Sequence, residues 1–74
     1  MAIIDVAAPM AGSVWEILVE AGQSVAEGDE LMILESMKME IPVESPISGK
    51  VAEVVVRDKE KFSEGDVLLR LESA

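Results

Sequence analysis

The sequence predicts an all-β fold built from two like halves, on three observations: a gap-free internal repeat, short runs rich in Val, Ile and Leu, and turn residues that recur at matching places in both copies. Shifting the chain by 37 positions lays residues 3–36 over residues 40–73, and 14 of the 34 aligned positions are identical. Two copies are too few for a solenoid, which needs about three or more units to bury a continuous core. They are expected instead to cover each other's apolar faces across an approximate two-fold axis. Residues 37–39 then remain between the copies as a tight hairpin.

The elements follow in chain order. The first copy supplies strands at Ile3 to Ala7, Ser13 to Val19, a short piece near Ser24 to Ala26, and Glu30 to Glu35. The second supplies Glu40 to Glu44, Lys50 to Val56, a short piece near Lys61 to Ser63, and Val67 to Glu72. Each longer run lies between turn residues spaced too closely to admit a helix. Those turns come in pairs: Pro9 with Pro46, Gly12 with Gly49, and Glu27-Gly28-Asp29 with Glu64-Gly65-Asp66. Gly supplies positive φ and Pro fixes φ, so equivalent placement predicts equivalent turns. One pair departs from this pattern: Gly22 has Lys59 opposite it, a poorer turn residue. Trp15 and Phe62 are expected in the core or at its edge. Glu16 with Glu53, and Glu35 with Glu72, are expected as solvent-facing strand positions.

Composition narrows the function. The 74 residues are expected to form one domain, 1–74, near the size at which roughly 60% of the unfolded chain's surface is buried. Half of the residues are apolar, so a modest core needs no disulfide or metal. The chain has neither Cys nor His, which removes the thiol nucleophile, the imidazole base and the soft-ligand metal site. No carboxylate pair is distinctive enough to propose acid/base catalysis. The net charge is −9, and residues 1–37 hold seven acids and no Lys or Arg. Such a surface repels nucleic acid and favours basic protein partners. No signal peptide and no membrane-length apolar run is visible, so a cytoplasmic, soluble domain without membrane contact is expected.

Lys38 is the first cation in the chain and lies at the centre of the run Glu35-Ser36-Met37-Lys38-Met39-Glu40, between the two copies. A lysine there is expected to be covalently modified, because a hairpin tip projects a long amine stem from a rigid base. Lys50, Lys59 and Lys61 are expected to be ordinary solvated charges.

From Ala8-Pro9-Met10-Ala11-Gly12, through the Met-Lys-Met centre, to Gly65-Asp66-Val67-Leu68, the chain resembles the biotinyl/lipoyl carrier domains, and in particular their biotinyl branch. The resemblance implies a flattened barrel-sandwich of two four-stranded antiparallel sheets with a quasi-two-fold internal repeat. It implies biotin as covalent cofactor on Lys38, with Met37 and Met39 as the flanks that a partner reads. The implied role is a non-catalytic carrier that shuttles a carboxyl group between active sites, with a biotin protein ligase, a biotin carboxylase and a carboxyltransferase as the implied partners. An acyl-CoA carboxylase system is the expected setting. Ser36 stands where the family commonly has Ala, and Lys59 replaces a usual turn Gly. The chain has no insert between its second and fourth strands, as in thumbless carriers. Two rivals are a lipoyl carrier of a 2-oxoacid dehydrogenase or glycine-cleavage system, whose tip usually reads Asp-Lys-Ala, and an unmodified interaction module.

Overall fold

The structure is a computed structural model that describes residues 2–73. Its elements are β1 (Ile3–Ala7), β2 (Gly12–Ile17), β3 (Ser24–Val25), β4 (Glu30–Ser36), β5 (Met39–Glu44), β6 (Gly49–Val54), β7 (Lys61–Phe62) and β8 (Val67–Ser73). They form two four-stranded antiparallel sheets, in the orders β1-β8-β6-β3 and β5-β4-β2-β7. Exchanging the halves turns one order into the other, so each sheet takes two strands from each copy. Neither half has a sheet of its own to fold on; the halves interlock. Among the described residues no helix is long and apolar enough to cross a membrane.

The core repeats in the same way. Leu31 with Leu68, Met32 with Leu69, Leu34 with Leu71, and Val14 with Val51 are all fully buried repeat mates. Each such side chain contributes about 1.5–3 kcal/mol of transfer free energy. Phe62 is buried opposite Val25, whereas Ser45 is buried opposite Ala8 and satisfies its hydroxyl by donating to the Ile47 carbonyl at 2.6 Å. Pro42 lies on β5, at the edge of its sheet, where its missing N–H costs no ladder bond.

The Glu-Gly-Asp turns are closed by reciprocal bonds. Gly28 N donates to Ser45 O at 2.8 Å, and Gly65 N donates to Ala8 O at 2.9 Å. Asp29 Oδ2 accepts from Ala26 N at 2.9 Å, as Asp66 Oδ2 does from Ser63 N at 2.8 Å. Gly28 and Gly65 have φ of 92° and 89°, the left-handed conformation that the paired glycines predict.

Trp15 corrects the sequence expectation. The ladder between β2 and β4 shifts register between Val14 and Glu16, a β-bulge that leaves Trp15 as the extra residue. A bulge breaks the in-out alternation and re-aims a side chain. Val14 therefore points inward while Trp15 is 42% exposed. The matching irregularity between Val51 and Glu53 places Ala52 in the same position of the other sheet.

Candidate functional site

The β4–β5 hairpin carries Met37, Lys38 and Met39. Its stem is anchored by Leu31, Met32 and Leu34, and its last ladder pair is Ser36 with Met39. The loop is therefore two residues, Met37 and Lys38, and not the three expected: Met39 already belongs to β5. Both loop residues have positive φ, 53° at Met37 and 65° at Lys38. Positive φ at both central positions is the type I′ signature, whose twist matches that of the flanking strands. Such turns favour Asn and Gly, and this one has neither. A residue with a Cβ in that conformation costs about 1–2 kcal/mol, a strain that concentrates at functional positions.

The base of the tip is braced. Ser36 Oγ donates to Ala11 O at 2.9 Å, and Ser13 pairs with Glu35 across β2 and β4. Gly12 packs its backbone directly on the Glu35 carbonyl, with no room for a side chain. The turn itself is open to solvent: Met37 is 91% and Met39 63% exposed. Lys38 is exposed too, and both ion pairs among the described residues are made by Arg70, so the Lys38 ammonium is in neither. A shallow groove of about 420 Å³ runs from Lys38 and Met37 past Ser36 and Gly12 to Lys61.

The other lysines differ in setting. Lys50 is exposed within β6, and Lys61 is exposed at the start of the two-residue β7, so neither sits on a hairpin tip. Lys59 has its amine committed, 4.3 Å from the Trp15 ring centroid and donating to the Trp15 carbonyl at 3.3 Å. Glu16 and Glu53 are exposed as expected, whereas Glu35 and Glu72 are half-buried. Glu35 also faces Glu40 directly across the hairpin, and Glu30 faces Glu44. Like charges directly opposite each other are unfavourable, and it is the two-residue turn that sets Glu35 against Glu40.

The arrangement suits covalent attachment. An exposed primary amine on a stiff two-residue turn can form an amide with a carboxylic acid cargo. Nothing around Lys38 forms a closed pocket for a freely bound group, and the described residues contain no cluster of three or more potential metal ligands.

A family model described as "Biotin-requiring enzyme" matches residues 4–71. The chain is 50% identical over 40 residues to the biotin/lipoyl attachment protein of Bacillus subtilis, covering 54% of this chain and 55% of that one. It is 56% identical over 39 residues to a biotinylated protein TB7.3 homolog of Mycolicibacterium smegmatis, covering 53% and 55%. The chain thus matches about half the length of these curated relatives. Two solved structures superpose with a TM-score of 0.90 over 97% of this chain: a single-chain, multi-domain long-chain acyl-CoA carboxylase at 29% identity, and the Kluyveromyces lactis urea carboxylase at 25%. The alignments cover 7% and 6% of those chains, respectively.

Proposed function

The chain belongs to the biotin-requiring family of biotin/lipoyl attachment domains, on its biotinyl side, and from that premise we propose that Lys38 is the biotin attachment point and that the domain is a carboxyl carrier. The observation that carries the reading is the position of an exposed lysine, outside both ion pairs of the described residues, on the two-residue turn between the repeats. A biotin protein ligase presents an activated carboxyl carbon. The Lys38 ammonium gives up one proton, its amine nitrogen bonds to that carbon as the leaving group departs with its electron pair, and the nitrogen then releases a second proton to the leaving group or to water. The amide formed is neutral. Met37 and Met39 flank it as soft, adaptable contact surface for the enzymes that read the tip.

The bound group supplies a ureido ring able to take up and deliver a carboxyl group, chemistry that belongs to the cofactor and its enzymes. This chain's part is to hold the arm at a fixed point and leave its far end free. The partners proposed are the ligase, a biotin carboxylase and a carboxyltransferase. We place the acceptor among acyl-CoA thioesters, supported by the likeness to an acyl-CoA carboxylase. The equal structural likeness to a urea carboxylase fits acceptor choice residing in the transferase. The name of the Bacillus subtilis relative also covers lipoate, which the same amide chemistry would attach; the two methionine flanks favour biotin.

Radiolabelled bicarbonate tests the carrier role. With ATP and a purified biotin carboxylase, the biotinylated protein is expected to acquire acid-labile label in stoichiometric amount, and the unmodified protein none. Absence of label on fully biotinylated protein, with free biotin carboxylated in the same assay, would overturn it.

A further inference from the structure

The internal repeat serves as its own control. Where the copies keep one backbone and differ in side chains, the fold does not require the difference. The turns at 20–23 and 57–60 are such a place. Gly22 N donates to Val51 O at 2.7 Å and Lys59 N to Val14 O at 2.8 Å; Gln23 N and Glu60 N donate to Glu20 O and Arg57 O, each at 3.1 Å. On this shared frame the first copy has Glu20, Ala21 and Gly22, and the second has Arg57, Asp58 and Lys59. The bulge beside them holds Ala52 in one sheet and Trp15 in the other.

The second version is the costlier one. Lys59 adopts φ of 68° where its mate Gly22, at 92°, is unstrained. Its stacking on Trp15 accounts for the lysine by offsetting that cost, but it does not account for Arg57. Arg57 reverses the charge of Glu20, is exposed, and forms no ion pair among the described residues. The neighbouring acids are turned onto backbone: Asp58 Oδ1 accepts from Ile17 N at 3.3 Å, and Glu60 Oε1 accepts from Arg57 N at 2.9 Å. Exposed Val55 and a shallow hollow of about 530 Å³ adjoin them. On a chain of net charge −9, the segment presents three cations, Arg57, Lys59 and Lys61, with the exposed Asp58 and Glu60 between them, a local excess of one positive charge, and Lys61 lines the groove beside Lys38.

We propose that Trp15, Arg57 and Lys59 form a second contact surface, continuous with the tip, that docks on an acidic surface of the enzyme that biotinylates Lys38. The inference rests on the reading of Lys38 given above. The partner is the ligase because it is met by free diffusion whatever the carrier is attached to, and charge complementarity acts most strongly on such encounters. Arg57 and Lys59 orient the approach, and Trp15 with Val55 provides apolar contact once the surfaces meet.

The double substitution Arg57→Glu with Lys59→Gly gives the second turn the residues that the first turn already folds with. Initial rates of biotin incorporation are measured against carrier concentration with a purified biotin protein ligase, ATP and biotin, at about 10 mM and about 1 M salt. The expected result is a KM raised about tenfold at low salt, with kcat retained and the difference lost at high salt. Arg57→Gln, which leaves Trp15, Lys59 and the backbone bonds of the turn in place, is expected to raise KM about threefold at low salt. Unchanged KM at low salt in both variants, with melting curves showing them folded, would overturn the second surface while leaving Lys38 intact. Failure of the parent to take up biotin would overturn both readings.

Discussion

Gly12→Ala is expected to cost about 3 kcal/mol, a large share of the roughly 4–11 kcal/mol total typical of a domain this size, and to lower Tm by about 12 °C or more. A Cβ on Gly12 would collide with the Glu35 carbonyl oxygen, and one on Gly49 with the Glu72 carbonyl oxygen. Both are backbone atoms within paired strands, so relief means opening a ladder. Gly49→Ala is expected to be about as severe, since the contacts are repeat mates. Gly28→Val and Gly65→Val give the contrast: nothing lies within 4 Å of a Cβ there, and the cost is the positive φ alone. Those two are expected to destabilise by similar amounts, on the order of 1 kcal/mol or more. Thermal melting of the four variants decides it. Gly12→Ala melting with the parent would contradict the close approach to the Glu35 carbonyl, and Gly28→Val and Gly65→Val differing severely would contradict the equivalence of the halves.

Exchanging the turn residues, Met37→Lys with Lys38→Met, is expected to slow biotinylation about 100-fold or more while leaving melting nearly unchanged. Both positions are already non-glycine residues at positive φ, so the exchange keeps composition, charge and strain. It moves the amine to the other corner of a two-residue turn, and acyl transfer needs the reacting atoms at about 3 Å. Mass spectrometry over a time course, with circular dichroism as the folding control, reads the outcome. A folded variant modified at its relocated lysine as fast as the parent at Lys38 would show that accessibility alone selects the site.

Much of this fold could be read from the sequence because the repeat supplied two observations of every element. The strand ends expected from the sequence agree with the ladders to within two residues, the largest excess being at Val19 and Val56. Both are buried although β2 and β6 end at Ile17 and Val54. There the apolar run reports burial, and the ladder bonds stop sooner. Trp15 lies outside the core that its residue type predicts because a bulge shifts the alternation by one, and no residue type announces a bulge at that position. The tip lysine was legible from its place between the copies. Its two-residue geometry was not, because Met-Lys carries none of the Asn or Gly signal of a type I′ turn. The Glu35–Glu40 opposition and the Lys59–Trp15 stacking depend on register and on bulge direction, which only the folded chain supplies.

The central claim, that one lysine on the inter-repeat turn receives biotin, is tested most directly by intact mass with peptide mapping after incubation with a biotin protein ligase, ATP and biotin. The account predicts one biotinyl increment, located on Lys38 and absent from a Lys38→Arg variant that melts like the parent. A biotinyl group mapped to Lys50, Lys59 or Lys61, a lipoyl increment on the protein isolated from its own cells, or no increment at all would contradict it.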